Sequence, residues 1–306
     1  MKNRYTGGLL AAAAAASLLL SACSTSANDP QGSDDGTATD AKGTITLGIL
    51  PTWTDELSTG YLLKDQLGKM GYDVQIEELN DASFLYAGLA GGDFDIYPSA
   101  WPEVTHKAYM EEFGDDIEDL GAYYDGAVLT IAVPDYVTDI TSLADLKGQA
   151  DRFDGQIIGI EPGAGLTKQT QESMIPAYEL ADEYELVTSS TSAMLATLQQ
   201  KIDKQEDVVV TLWRPFWAND AFPVRDLEDP LGAMGEPESL HFLATKGFSD
   251  KFAEVADYIA KIKLDDAAYG ALEGLVTSDE YEGEPAAAVT AWLADHADAY
   301  PGLIAD

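Results

Sequence analysis

The stretch TITLGILPTWTDELSTGYLLKDQLGKMGYDVQIEELNDASFLYAGLAGGDFDIY, residues 44–97, carries the signal that decides the fold. Its first seven residues are a β-rich run that Pro51 stops. Asp55 to Met70 places Leu57, Tyr61, Leu62 and Leu67 at roughly helical spacing, and Gly71 ends the segment as a C-terminal glycine does. Val74 to Leu79 alternates and predicts a second strand. Ala82 to Ala90 predicts a helix, and Phe94 to Tyr97 a short third strand. The order β-α-β-α-β is that of a parallel sheet covered by helices.

Downstream the pattern starts again. Ala127 to Val133 is an apolar strand ended by Pro134, and Ser142 caps a short helix over Ser142–Leu146. Ile157 to Ile160 reads as a buried strand. Leu166–Tyr178 and Ser192–Ile202 read as helices, with a strand at Tyr184–Val187 between them. Val208 to Leu212 is the last clear buried strand. From about Phe222 the chain is expected to turn helical, over Lys251–Ile262, Asp266–Val276 and Ala286–Ala297. Two α/β lobes joined by chain crossings imply a cleft, the usual home of a small-ligand site.

Composition narrows the function. The 306 residues suit about two domains or lobes, and 46% apolar residues supply sizeable cores. Lys and Arg number 17 against 54 Asp and Glu, a net charge of −37. A surface that acidic excludes nucleic-acid binding as a default, because phosphates need a basic face, and opposes electrostatic docking onto anionic lipid. A single cysteine excludes a disulfide framework, a zinc knot or an iron–sulfur cluster built from this chain alone.

That cysteine has a telling place. Lys2 and Arg4 form a short positive segment, and Gly8 to Leu20 is a small-residue apolar run. It falls short of the roughly 20 apolar residues of a membrane span and fits a secretory signal. The run closes on Leu20-Ser21-Ala22-Cys23, which resembles the bacterial lipoprotein signal, in which the cysteine is lipid-modified. On that reading residues 1–22 are removed and acyl chains on Cys23 hold the protein at the outer face of a membrane. An ordinary signal peptide with an incidental Cys23 is the plainer alternative. Residues 23–43, rich in Ser, Thr, Asn, Asp and Gly, read as a flexible tether.

Three features of the body bear on chemistry. Trp53, Trp101 and Trp213 each directly follow an expected strand, and ligands of open parallel sheets bind beyond the carboxyl ends of the strands. Indole faces attract cations, and a quaternary ammonium, with no N–H to donate, suits an aromatic box. Packing in the core is the competing account of each tryptophan. Gly159 to Leu166 (GIEPGAGL) follows a strand and opens a helix, so backbone amides there can face an anion, although a plain glycine-rich turn reads the same. It lacks the GxxxxGK[ST] spacing of a nucleotide loop. His106, five residues after Trp101, can donate to a carboxylate or simply cap a helix. His241 and His296 have no supporting context. No HExxH or GxSxG pattern occurs, and with carboxylates so abundant a solvated acidic face is the better account of nearly all of them.

Six segments in order resemble one family: GDFDIYPSAWPEVTH (92–106), VPDYVTDITSLADL (133–146), IIGIEPGAGLTKQTQ (157–171), AMLATLQQKI (193–202), VVVTLWRPFWA (208–218) and VRDLEDP (224–230). They are similar to the substrate-binding proteins of glycine betaine/proline betaine ABC importers. The resemblance implies a bilobal α/β fold of the periplasmic-binding-protein type II class, with lobe I at 44–127 plus 223–306 and lobe II at 128–222. It implies a non-catalytic role: a monomer without cofactor captures a betaine-type osmolyte and delivers it to a membrane permease driven by a separate ATPase. Trp53, Trp101 and Trp213 fall on the family's cage positions around the trimethylammonium group. Gly165, Leu166 and His106 are the expected partners of the carboxylate. One departure stands out: where many relatives carry W-x-P-H-W, this chain has Trp213-Arg-Pro-Phe216-Trp217, and Phe216 cannot donate a hydrogen bond. A choline or carnitine binder is the alternative within the class, and a lipoprotein hydrolase the alternative outside it.

Overall fold

The computed structural model describes residues 42–296, 298 and 300–305. The signal segment, Cys23 and nearly all of the 23–43 tether lie outside the described residues. The strands are β1 (Thr44–Ile49), β2 (Asp73–Glu78), β3 (Ile96–Ala100), β4 (Ile117–Pro134), β5 (Gln156–Ile158), β6 (Glu185–Val187), β7 (Val210–Arg214), β8 (Val224–Asp226) and β9 (Glu238–Thr245). The helices of the first half are α1 (Thr54–Lys69), α2 (Ala82–Gly91), α3 (Lys107–Phe113), α4 (Gly165–Gln169), which continues through a π turn at Thr170–Met174 into α5 (Ile175–Ala177), and α6 (Thr191–Lys204). Those that follow are α7 (Ala218–Ala221), α8 (Phe248–Lys251), α9 (Ala253–Ile259), α10 (Asp266–Val276) and α11 (Pro285–His296).

Local chemistry accounts for the boundaries. Asp55 and Glu56 stand in the first turn of α1 and Lys69 in its last, each sign matching the helix dipole. Leu62, Leu63 and Leu67 form its buried face, which packs on β3, α10 and α11. Asp81 caps α2 by accepting from the Ser83 amide at 2.9 Å. Ser142 and Asp145 form a reciprocal capping box at the short 3₁₀ turn Leu143–Leu146.

The strand order is β2-β1-β3-β9-β4-β7-β5-β6, with β8 on β4. β1 pairs in parallel with β2 and β3, and β5 in parallel with β6 and β7. The pairings made by β9, β4 and β8 are antiparallel. The sheet is therefore mixed rather than wholly parallel. β4 belongs to both halves: Ile117–Ala127 runs beside β9, and Val128–Ala132 runs beside β7. One strand thus leaves the first sheet region and enters the second between Ala127 and Val128.

Three strands depart from the sequence reading. The first half of β4 was not expected, because register shifts interrupt its alternation. Gly121 and Gly126 sit at φ +112° and +92°, backbone that other residues rarely adopt. The chain also does not turn helical at Phe222. β8 still pairs with the second half of β4, and β9 then inserts between β3 and β4 before the helical tail begins.

Candidate functional site

The carboxyl ends of β1, β3 and β5 converge with β7 on a narrow cavity of about 30 Å³. The first sheet region and its loops contribute Trp53, Asp55, Trp101, Thr105 and His106. The second contributes Leu129, Ile160, Ala164, Gly165, Leu166 and Trp213. Trp53, Trp101, Trp213, His106, Gly165 and Leu166, all singled out from sequence, thus share one wall-to-wall space. Trp53 and Trp101 follow their strands, whereas Trp213 lies inside β7, opposite Leu129 of β4. It is a wall of the second sheet region rather than part of a loop beyond it.

Two of the indoles are backed by another ring. His106 stacks on Trp53 with centroids 5.9 Å apart and planes 12° apart. Phe216 stacks on Trp213 at 3.9 Å and 18°. The phenyl ring at 216 thus has a job that needs no donor, because it braces an indole. Arg214 does not line the cavity; its Nε lies 2.5 Å from Asp226 Oδ2. Trp292 is buried in α11 against His296, 4.6 Å away. His241 pairs with Asp119 at 2.9 Å and is not a cavity residue.

Buried acids, which composition hid, hold two of the three indoles. Trp101 Nε1 donates to Asp55 Oδ2 at 3.3 Å, and Ser99 Oγ donates to the same oxygen at 2.6 Å. Trp53 Nε1 donates to Glu161 Oε2 at 3.2 Å. Glu56 accepts from the Leu50 amide at 2.5 Å and from Tyr97 at 2.8 Å, fixing the turn that leads to Trp53. Glu273 accepts from Thr54 Oγ1 and, at 2.6 Å, from the Trp217 amide. Burial raises the carboxyl pKa of Asp55 and raises that of Glu56 well above the usual range, the neighbouring Asp55 charge adding to the latter. Burial pushes Glu273 up to about 8. The visible hint was the run Trp53-Thr54-Asp55-Glu56, which sets two acids beside a strand-end indole.

His106 is almost wholly buried. The Trp101 amide donates to its Nδ1 at 3.3 Å, and Tyr86 OH lies 3.0 Å from the same atom. A backbone N–H can only donate, so Nδ1 accepts and the ring proton belongs on Nε2. Burial lowers the imidazole pKa to about 3, so the ring is neutral in ordinary buffers. A neutral ring with its proton on Nε2 remains a hydrogen-bond donor. Gly165 and Leu166 occupy the first turn of α4, where amides have no intrahelical acceptor. The wall therefore offers indole faces for a cation and amides for an anion.

His106 backs Trp53 and lines the cavity, where its Nε2 proton can be donated. His106→Ala is thus expected to weaken capture of both glycine betaine and choline. Betaine should lose about tenfold more, the worth of a hydrogen bond to a charged group. Titration of both ligands by calorimetry checks this; an unchanged affinity ratio would remove the donor role.

Two α/β regions that share one strand and enclose an aromatic cavity make the architecture of a type II periplasmic binding protein. The family described as "Substrate binding domain of ABC-type glycine betaine transport system" matches residues 43–295, and the chain belongs to it. The crystal structure of the glycine betaine, L-proline-binding protein ProX from Borrelia burgdorferi superposes with a TM-score of 0.79 at 31% identity, covering 86% of this chain and 97% of that one. Lactococcal OpuAC, closed and complexed with glycine betaine, gives 0.77 at 27% identity, covering 86% and 100%. The glycine betaine/carnitine transport binding protein GbuC of Listeria monocytogenes is 34% identical over 128 residues, which span 40% of this chain and 42% of the Listeria protein.

Proposed function

We propose that this protein is the extracytoplasmic receptor of an ABC importer, capturing a betaine-type zwitterion and passing it to a permease powered by a separate ATPase. Trp53, Trp101 and Trp213 hold the trimethylammonium group, with Asp55 fixing the Trp101 ring by accepting from its indole N–H. The amides of Gly165 and Leu166 and the imidazole of His106 hold the carboxylate. The observation that carries this reading is the cavity itself. Three indoles from three strands surround one space whose far wall is a helix N-terminus. An aromatic box alone suits any quaternary ammonium, and amides at the other end favour one that carries an anion.

The lobes of this receptor are the two sheet regions, hinged where β4 changes partners; the return to lobe I (44–127) comes with β9 rather than at residue 223, because β8 pairs with the second half of β4 and so stays with lobe II. Binding draws them together, with no chemical change in the solute. A calorimetric screen against glycine betaine, proline betaine, carnitine, choline and ectoine tests the reading. Betaines are expected to bind at least about tenfold more tightly than choline, which lacks the carboxylate. Equal affinities would remove the anion pocket and favour the choline reading.

The lipid anchor belongs to the same proposal. Cys23 is the only thiol in the chain and closes the apolar leader. Among the described residues no helix is long and apolar enough to cross a membrane. Cys23→Ser is expected to release the protein from membranes with betaine affinity unchanged. Persistence of the variant on membranes after a high-salt wash would contradict the anchor.

A further inference from the structure

Glu161 stands in the turn after β5, in the second sheet region, and is 7% exposed. Four donors reach its carboxylate. Two come from its own side: the Thr191 amide to Oε1 and Thr191 Oγ1 to Oε2, both at 2.9 Å. Two come from the first sheet region, on the other side of the cleft: Thr52 Oγ1 to Oε1 at 3.3 Å and Trp53 Nε1 to Oε2 at 3.2 Å. Each oxygen therefore receives one donor from each side. The Thr191 contacts are the shorter pair and lie at the start of α6, so they orient the carboxylate whether or not the other side is present. The backbone of Glu161 is fixed as well, its carbonyl accepting from the Ala164 amide at 3.0 Å and from Thr167 Oγ1 at 2.8 Å.

We propose that Glu161 is a positioning residue that latches the closed receptor by gripping the edge of the cage indole Trp53. This rests on the betaine-receptor reading and extends it to how the solute is retained. The logic is electrostatic. A carboxylate cradled by Thr191 keeps a free lone pair on each oxygen, facing Thr52 and Trp53 of the first sheet region. When the lobes meet, Trp53 and Thr52 fill them, in a space from which water is excluded, where charge-assisted hydrogen bonds are strong. The same contact sets the rotation of Trp53, whose opposite support is the His106 ring. An N–H bonded to an anion also pushes electron density into the indole, deepening the negative face offered to a cation. Solute and latch thus engage the same ring at its face and its edge.

A latch that forms on closing slows escape more than it speeds entry. Stopped-flow tryptophan fluorescence with glycine betaine separates the two. Glu161→Gln turns one acceptor into an NH₂ group that faces a donor. Its release rate is expected to rise about ten- to thirtyfold, the worth of a charge-assisted hydrogen bond, with the association rate within about threefold of the parent. Thermal unfolding without solute should be nearly unchanged, because the cross-cleft bonds belong to the closed form. In a Thr52→Val/Trp53→Phe background, where the cross-cleft donors are gone, adding Glu161→Gln should change the release rate little. If Glu161→Gln does not fold, Thr52→Val alone should still speed release a few-fold. Release at the parent rate from whichever variant folds, while the parent binds betaine, overturns the latch and leaves the receptor reading intact. Failure of the parent to bind any quaternary ammonium solute overturns both.

Discussion

Gly165→Ala is expected to weaken glycine betaine binding by about a hundredfold or more, without unfolding the protein. A β-carbon at residue 165 would lie 2.0 Å from the Thr105 carbonyl oxygen and 2.6 Å from the carbonyl carbon. That is backbone of the facing wall, and it has little room to yield. Glu238 accepts from the amides of Glu103, Val104 and Thr105 at 3.1, 3.0 and 2.9 Å, holding that loop in place. The walls would have to part by roughly 1 Å, since interiors are packed too closely to absorb a methyl group for nothing. Parting them moves the Gly165 and Leu166 amides away from Trp53 and Trp101. It also stretches the Tyr109 hydroxyl contact to the Gly163 carbonyl, now 2.7 Å. Alanine suits the first turn of a helix, and φ at Gly165 is not positive, so the separated lobes should lose nothing. Calorimetric affinity and the unliganded melting temperature decide the matter together. Affinity like that of the parent would mean that the two walls need not touch for capture.

The first sheet region was legible because its physics is local. Between residues 44 and 97, apolar runs, helical spacing and stopping glycines each mark an element within a few residues of its observed bounds. β9 was not legible, since ESLHFLAT draws its place from partners far away in sequence, β3 and β4. The first half of β4 was obscured by its own bulges, which shift the alternation that announces a strand.

The site divided along a similar line. Tryptophans are rare, and three near strand ends already suggest convergence. Asp55, Glu161 and Glu238 are three acids among 54, and apart from the indole two residues before Asp55 nothing in their local sequence separates them from solvated ones. What distinguishes them is burial against donors 46, 30 and 133 residues distant: Trp101, Thr191 and Thr105. Only the fold supplies that. A similar gap hid the role of Phe216. Its sequence shows the loss of a donor, while the stacking on Trp213 shows what a ring at that position does.

The double replacement Trp53→Ala/Trp213→Ala should abolish measurable capture, where either single change weakens it roughly five- to thirtyfold. A desolvated ring over a quaternary cation contributes about 1–2 kcal/mol, and two such losses multiply toward a thousandfold. The rings belong to different sheet regions, Trp53 at the end of β1 and Trp213 within β7. Each is backed by its own partner, His106 or Phe216, so neither can swing across to replace the other. Removing one leaves the cation open on one side; removing both leaves Trp101 alone to hold it. The three indoles are at most 7% exposed, so each truncation also leaves a void, and the unliganded melting temperature must be followed alongside affinity. Trp292→Phe is the control, since that ring packs in α11 outside the cavity and its loss should leave affinity unchanged. Betaine should also shift the intrinsic fluorescence of the parent, and the shift should shrink in each single cage variant. A folded Trp213→Ala protein that binds betaine as tightly as the parent would falsify the cage at the residue on which both of its sides depend.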